Sequence, residues 1–133
     1  MFKKLLTIES CCQVLGKDMA KEFPEELMKL LSPDEVAYKQ SKIITEAVNF
    51  LDNGNKPWIP DWNNGDEEKY QPIYIIDANE ENPSGVGFSV LCYGCSATPT
   101  RVGARHIFKT SKGLYFAVKQ FEDIYKALIL ISK

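Results

Sequence analysis

The sequence is poor in the side chains that most enzyme and metal centres use. It holds one histidine, His106, and four cysteines among 133 residues. A single histidine excludes histidine-rich metal sites and leaves little material for a hydrolytic triad. No set of nucleophile, base and orienting groups can be named from the sequence, so we assign no catalytic residue.

Long apolar runs are also missing. Lys3 and Lys4 precede an apolar stretch, but Glu9 ends it after about four residues, whereas a secretory signal needs roughly 7–15. No stretch reaches the ~18 apolar residues of a membrane helix. We therefore expect a cytoplasmic protein that does not bind a membrane.

In other respects the composition is that of a globular domain. Hydrophobic residues make up 44% and charged residues 26%, and the net charge is −2. These values predict one domain over residues 1–133 and disfavour a strongly cationic nucleic-acid binder. Residues 61–81 nevertheless carry seven acidic side chains and one basic, and residues 101–133 carry seven basic and two acidic. The structural explanation of this asymmetry is that the two segments form two solvated surfaces. The functional alternative is that the C-terminal segment offers a basic face to an acidic partner.

The cysteines predict free thiols in a cytosolic protein. Cys92 and Cys95 form a C-x-x-C pair, which in redox enzymes begins a helix, but here the pair follows a predicted strand and enters a turn. A zinc site needs two further ligands, and only Cys11, Cys12 and His106 remain to supply them. Adjacent cysteines rarely both reach one metal, so we expect no metal and no cofactor.

The acidic run from Asp61 to Glu68 has the composition of a calcium-binding loop without its spacing. An EF-hand loop has glycine at its sixth position and glutamate at its twelfth. Counted from Asp61, these positions are Asp66 and Pro72. The dipeptide Asn64-Gly65 is better explained as a turn.

Two helices are predicted near the N-terminus. Thr7 can cap a helix over residues 8–15, and Gly16 can end it. Apolar residues at helical spacing predict a second helix over about 24–31.

Two longer helices are marked more strongly. Ser32-Pro33-Asp34-Glu35 is a capping box with proline at the first helical position, and it predicts a helix over 33–52 that Asn53-Gly54 ends. An apolar stripe after Thr110 predicts a C-terminal amphipathic helix over about 112–131.

A long loop and three strands are predicted between these helices. Residues 53–71 are rich in Asn, Gly, Pro and Asp, which is typical of a loop. Residues 73–76, 86–93 and 102–108 have the patterns of strands, and their short connections favour antiparallel pairing. The predicted fold class is α+β, with N-terminal helices, a roughly three-stranded antiparallel sheet and the C-terminal helix packed on it.

Aromatic and basic residues supply the binding candidates. Three basic residues share one face of the third predicted strand, and three aromatic residues lie in the long loop. Basic residues with aromatic neighbours are typical of single-stranded nucleic-acid binding, and the loop aromatics can stack on a base or a sugar. A solvated sheet face and hydrophobic anchors for the loop are the structural alternatives. The candidates are Trp58, Trp62, Tyr70, Arg101, Arg105 and Lys109.

Several short motifs along the chain are distinctive. They are Trp58-Ile59-Pro60-Asp61-Trp62-Asn63-Asn64, Ser84-Gly85-Val86-Gly87-Phe88-Ser89, Val102-Gly103-Ala104-Arg105, Phe108-Lys109-Thr110 and Lys119-Gln120-Phe121. With these motifs the chain resembles a family of small uncharacterised proteins carried by phages and conjugative transposons of gut Bacteroidetes. The resemblance implies a small α+β domain without an established activity. It singles out Arg105, because the family has Val-Gly-Ser-Arg at the corresponding place.

These observations lead to one expected function and two alternatives. We expect a non-catalytic accessory protein of a mobile genetic element that binds another protein. The first alternative is a nucleic-acid-binding module that uses the basic strand face. The second is an enzyme of unrecognised type, which predicts a deep pocket with perturbed ionisable groups.

Overall fold

Six α-helices make up most of the part of the chain that the structure describes. The computed structural model describes residues 1–72, 93–94 and 104–129. Phe2–Lys4 and Ala104–His106 form short 3-10 turns. Two strands of two residues pair antiparallel, with Tyr70 opposite Gly94. The helices and strands are α1 (Ile8–Leu15), α2 (Met19–Glu22), α3 (Glu25–Met28), α4 (Pro33–Asp52), β1 (Tyr70–Gln71), β2 (Tyr93–Gly94), α5 (Ser111–Gln120) and α6 (Glu122–Ile129).

Local capping signals determine where α1 and α4 begin and end. The Thr7 hydroxyl accepts a hydrogen bond from the Ser10 backbone N–H at 3.1 Å, and Gly16 ends α1 with φ of 67°. The Glu35 carboxylate accepts hydrogen bonds from the Ser32 backbone N–H and hydroxyl, at 3.1 and 2.7 Å. These bonds hold the pKa of Glu35 below its ordinary value. The predicted helices over 8–15 and 33–52 are confirmed.

Other predicted helices differ from the structure. Only Glu25–Met28 of the predicted helix over 24–31 is helical, and α2, which Asp18 caps, was not predicted. The predicted helix over 112–131 is divided at Phe121, whose φ of −113° and ψ of 36° lie outside the helical region. The chain changes direction at Phe121, which is itself buried. This change lets both α5 and α6 place side chains in the core.

The prediction of an α+β fold with a three-stranded sheet is wrong. Within the predicted strand over 102–108, Ala104–His106 forms a 3-10 turn and Phe108 makes a single antiparallel bridge to Tyr70. The predicted strand 73–76, and all but Tyr93 of the strand 86–93, lie outside the described residues. The described part is mainly helical, with β1 and β2 as its strands.

Contacts to α4 occupy the backbone edge of the segment before α5 that does not pair with Tyr70. The Asn49 side-chain amide donates to the Ile107 carbonyl at 2.8 Å, and its oxygen accepts from the Lys109 backbone N–H at 2.9 Å. These backbone groups therefore bond to a helix side chain where a ladder would bond them to a neighbouring strand.

One hydrophobic core joins α1, α4, α5 and α6. Its fully buried side chains include Leu5, Ile44, Val48, Leu114 and Tyr125. The Phe2 ring stacks on Phe116 with centroids 5.0 Å apart. At Gly113 of α5 a Cβ would lie 2.7 Å from Val48 Cγ1, so the close approach of α5 to α4 requires glycine there.

Among the described helices, none is long and apolar enough to cross a membrane.

Candidate functional site

A cleft of about 690 Å³ lies between α4, the segment 58–60 and the turn Ala104–His106. Its volume is in the range of small-ligand and peptide-anchor sites, roughly 300–1,000 Å³. Residues three and four positions apart share one face of a helix, and such a face of α4 lines the cleft. Lys17 contributes from the chain after α1. The α4 residues are Tyr38, Lys42, Thr45, Glu46 and Asn49.

Asn49 positions the wall of the cleft that faces α4. It is 5% exposed, and its amide satisfies the Ile107 carbonyl and the Lys109 N–H. Both bonds fix the backbone that follows the turn Ala104–His106, so the side chains of that turn are held beside α4.

His106 is buried beneath this wall. Its Nε2 lies 2.8 Å from Ser41 Oγ, and the Ser41 hydroxyl donates to the Tyr38 carbonyl at 2.8 Å. Both hydrogen bonds can form together when Nε2 carries the ring proton, because its N–H then donates a hydrogen bond to the Ser41 hydroxyl oxygen. Burial, and secondly the charge of Lys42, lower the pKa of His106 below its ordinary value. The ring is therefore a neutral hydrogen-bond donor to Ser41 at pH 7, not the base that a serine nucleophile needs.

The charges of the cleft are unevenly compensated. Lys17 Nζ lies 2.9 Å from Glu46 Oε2, and this hydrogen bond raises the pKa of Lys17. Lys42 and Arg105 form no ion pair with a carboxylate of the described residues. The Lys42 ammonium instead lies 6.0 Å from the centre of the Tyr38 ring. Neither of these two cations, which line the cleft together with Glu46, is therefore paired with a carboxylate in the part of the chain that the structure describes.

Apolar surface lies beside these cations. Ile59 is 83% exposed, which is unusual for a large aliphatic side chain, and Tyr38 is 48% exposed. Trp58, which also lines the cleft, is half-buried. The cleft thus combines apolar and aromatic surface with two cations that have no carboxylate partner within residues 1–72, 93–94 and 104–129.

Two of the six sequence-predicted binding residues meet in this cleft. Trp58 lines it from the loop, and Arg105 lines it from the turn Ala104–His106. Arg101 lies outside the described residues. The predicted basic strand face does not form around Arg105, because that residue is in a 3-10 turn.

The remaining three candidates have contacts elsewhere. The Tyr70 backbone pairs with Phe108, and its hydroxyl is hydrogen-bonded to Glu68. The Lys109 backbone N–H donates to Asn49, and its side chain is half-buried. Trp62 packs under the ammonium of Lys69, 5.5 Å from the ring centre.

The acidic loop binds a cation that belongs to the chain itself. Lys69 is 2% exposed, and its ammonium donates to the carbonyls of Asn64 and Glu67 at 3.2 and 3.1 Å. It also lies 3.4 Å from the Glu67 carboxylate. Within the run from Asp61 to Glu68, the carbonyls of Asn64 and Glu67 and the carboxylate of Glu67 thus bind an ammonium of the same chain. In the described part of the chain, no three His, Cys, Asp or Glu side chains converge as metal ligands.

Cys11 and Cys12 are free thiols buried in the core, as predicted. Burial, with a smaller effect of Cys12, raises the pKa of Cys11 to about 12. Burial likewise raises the pKa of Cys12. Protonated thiols are poor nucleophiles, so these residues are structural. Cys92 and Cys95 lie outside the described residues.

The α4 residues of the cleft were not predicted from the sequence. Tyr38, Lys42 and Glu46 follow one another at four-residue intervals, which places them on one helix face. An aromatic, a base and an acid at this spacing are also typical of a solvated helix face. The spacing becomes informative once Trp58 and Arg105 are known to lie opposite.

Comparisons of this chain with protein-family models, with curated proteins and with solved structures find no match.

Proposed function

We propose that this protein acts without catalysis, by binding part of a partner protein in the cleft between α4 and the turn Ala104–His106. One observation carries the proposal. Lys42 and Arg105 line a cleft that the exposed Ile59 also lines, and neither cation forms an ion pair with a carboxylate of the described residues. Unpaired charge in a concave site attracts a ligand of opposite sign, and exposed apolar surface gains free energy when a partner covers it.

The setting of the proposal comes from the motifs along the chain. Their resemblance to proteins of phages and conjugative transposons of gut Bacteroidetes supports an accessory role in a mobile genetic element. The partner is then a protein of the element or of its host, met in the cytoplasm.

An enzymatic function is less well supported by this cleft. Ser41 and His106 are in contact, but the serine is fully buried and the histidine nitrogen that faces it is a donor. Because Ser41 is fully buried, a substrate could not reach its hydroxyl without a rearrangement of the surrounding residues.

Affinity capture from the native host, with the element active, tests the proposal. The bait is compared with the double variant Lys42→Glu/Arg105→Glu and with the matched control Lys119→Glu, whose lysine is exposed on α5. We expect a protein that survives nuclease treatment, disappears with the double variant and is retained by the control. The proposal is wrong if the three baits capture the same proteins.

Single-stranded nucleic acid is the second candidate ligand. The observation in its favour is that Trp58 and Arg105 line one cleft, since a base can stack on an aromatic ring while a cation holds the phosphate. The net charge of −2 and the Glu46 carboxylate in the cleft disfavour it. This candidate predicts capture that nuclease abolishes and binding that weakens steeply with salt and on Arg105→Ala.

A further inference from the structure

We infer that the cleft recognises an acidic protein segment in which a carboxylate lies next to an aliphatic or aromatic side chain, and that Glu46 discriminates against polyanions. This inference rests on the proposed function and specifies the chemistry of the partner.

The carboxylate subsite is formed by Lys42 and Arg105. The guanidinium of arginine matches a carboxylate with two parallel hydrogen bonds, and a nearby ammonium adds charge without a fixed direction. His106 adds no charge at pH 7, because burial and Lys42 lower its pKa. The positive charge available to a ligand therefore comes from two side chains and suits one or two carboxylates.

The apolar subsite is formed by the segment 58–60 together with Tyr38. Ile59 is 83% exposed, and its aliphatic surface offers nothing to a sugar–phosphate backbone. A leucine, isoleucine or phenylalanine of a partner would cover it and also contact Trp58. This surface favours a protein segment over a nucleic acid.

Glu46 is the acidic residue of the cleft lining. It follows Lys42 by one turn on the same face of α4. Its Oε2 forms an ion pair with the Lys17 Nζ at 2.9 Å. Its side chain is 51% exposed, so its charge acts on a ligand that extends along α4 from Lys42. A single carboxylate at Lys42 and Arg105 brings one negative charge near Glu46, whereas a run of phosphates along α4 brings several and is repelled more strongly. Glu46 thus neutralises the charge of Lys17 and repels extended anions.

Fluorescence anisotropy with two labelled probes tests the inference. One probe is a fluorescein-labelled peptide in which a single glutamate is flanked by leucine and phenylalanine in an otherwise uncharged sequence with blocked ends. The other is a fluorescein-labelled oligothymidylate, which carries a negative charge on each phosphate. The variants are Glu46→Gln, Lys42→Gln and Arg105→Gln, with Lys119→Gln as the control outside the cleft. Circular dichroism confirms that each variant is folded.

We expect the unmodified protein to bind the peptide more tightly than the oligothymidylate. Glu46→Gln should strengthen oligothymidylate binding by about three- to tenfold and peptide binding by less, which narrows the preference. Lys42→Gln and Arg105→Gln should each weaken peptide binding by about three- to tenfold, and Lys119→Gln should leave it unchanged.

Three results would overturn the inference. They are equal binding of the two probes by the unmodified protein, an unchanged preference in Glu46→Gln, and no peptide binding up to about 1 mM. If the peptide fails but the captured partner is still lost on Lys42→Glu/Arg105→Glu, the proposed function stands and this inference alone is wrong. If the captured proteins are also unaffected by those substitutions, the proposed function and this inference are both wrong.

Discussion

At the scale of single residues, His106 is a buried base whose surroundings favour the neutral ring. Burial and Lys42 lower its pKa below the value of 6.5 that it has in an unfolded chain. As pH falls through 6.5, the unfolded chain binds a proton that the folded protein does not. The contribution of a neutral His106 to stability is therefore fully present above pH 6.5. It is lost progressively as pH falls from 6.5 through the lower, folded pKa.

We expect His106→Gln to reduce the loss of stability on mild acidification. The glutamine amide can still donate to Ser41 but takes up no proton. Urea unfolding at about pH 7.5 and about pH 5.5 gives the free energy of unfolding at each pH. The unmodified protein should lose more of it between these values than the variant. An equal loss in both proteins would assign the pH dependence to other groups.

Asn49 is the residue on which the wall of the cleft depends most. Its amide satisfies the buried backbone carbonyl of Ile107 and the partly buried backbone N–H of Lys109. Asn49→Ala leaves both unpaired, so the free energy of unfolding should fall by about 2–4 kcal/mol. The matched control is Asn63→Ala, because the Asn63 side chain is exposed and should change stability by less than about 0.5 kcal/mol. Urea unfolding measures both, and similar small effects would contradict the assigned role.

At the scale of elements, Thr110 joins the end of α4 to the beginning of α5. Its hydroxyl accepts from the Gly113 N–H at 2.9 Å and donates to the Asp52 carboxylate at 2.6 Å. Thr110→Ala removes both bonds and should cost about 1–2 kcal/mol of stability. Thr110→Ser keeps the hydroxyl and should lie within about 1 kcal/mol of the unmodified protein. Thermal unfolding followed by circular dichroism distinguishes the two, and equal effects would show that the hydroxyl is not what matters.

The elements that the sequence predicts correctly are those whose ends are marked locally. Thr7 and Gly16 delimit α1, and the Ser32–Glu35 box begins α4, because these bonds involve residues within four positions of each other. The break at Phe121 has no such mark. It is an apolar residue at helical spacing, and its backbone departs from the helix where both halves bury against α4. Tertiary packing determines where this break lies, and the spacing of apolar residues does not predict tertiary packing.

The predicted third strand failed for a related reason. Alternating residues over 102–108 are compatible with a strand, but Asn49 lies 58 positions from Ile107 and binds its carbonyl. The same long-range contact brings Arg105 to α4. The sequence could therefore single out Trp58 and Arg105, which line the cleft, while Lys42 and Glu46 could be assigned to it only from the tertiary structure.

At the scale of the molecule, the buried thiols report whether the helices open together. Cys11 and Cys12 lie in the core that α1 shares with α4, α5 and α6, and burial raises the pKa of both. A thiol-reactive disulfide reagent reaches them only after this packing opens, because it needs an accessible thiolate. Their reaction rate therefore measures an opening free energy.

We expect that opening to be global. The experiment uses a Cys92→Ser/Cys95→Ser variant, so that only Cys11 and Cys12 react. Labelling in increasing urea should give the same free energy and urea dependence as unfolding followed by circular dichroism and by the fluorescence of Trp58 and Trp62. Since one core holds α1 against the other helices, a smaller free energy with a weak urea dependence would mean that α1 detaches locally. The part of the cleft that Lys17 lines from the chain after α1 would then open without unfolding of the remaining helices.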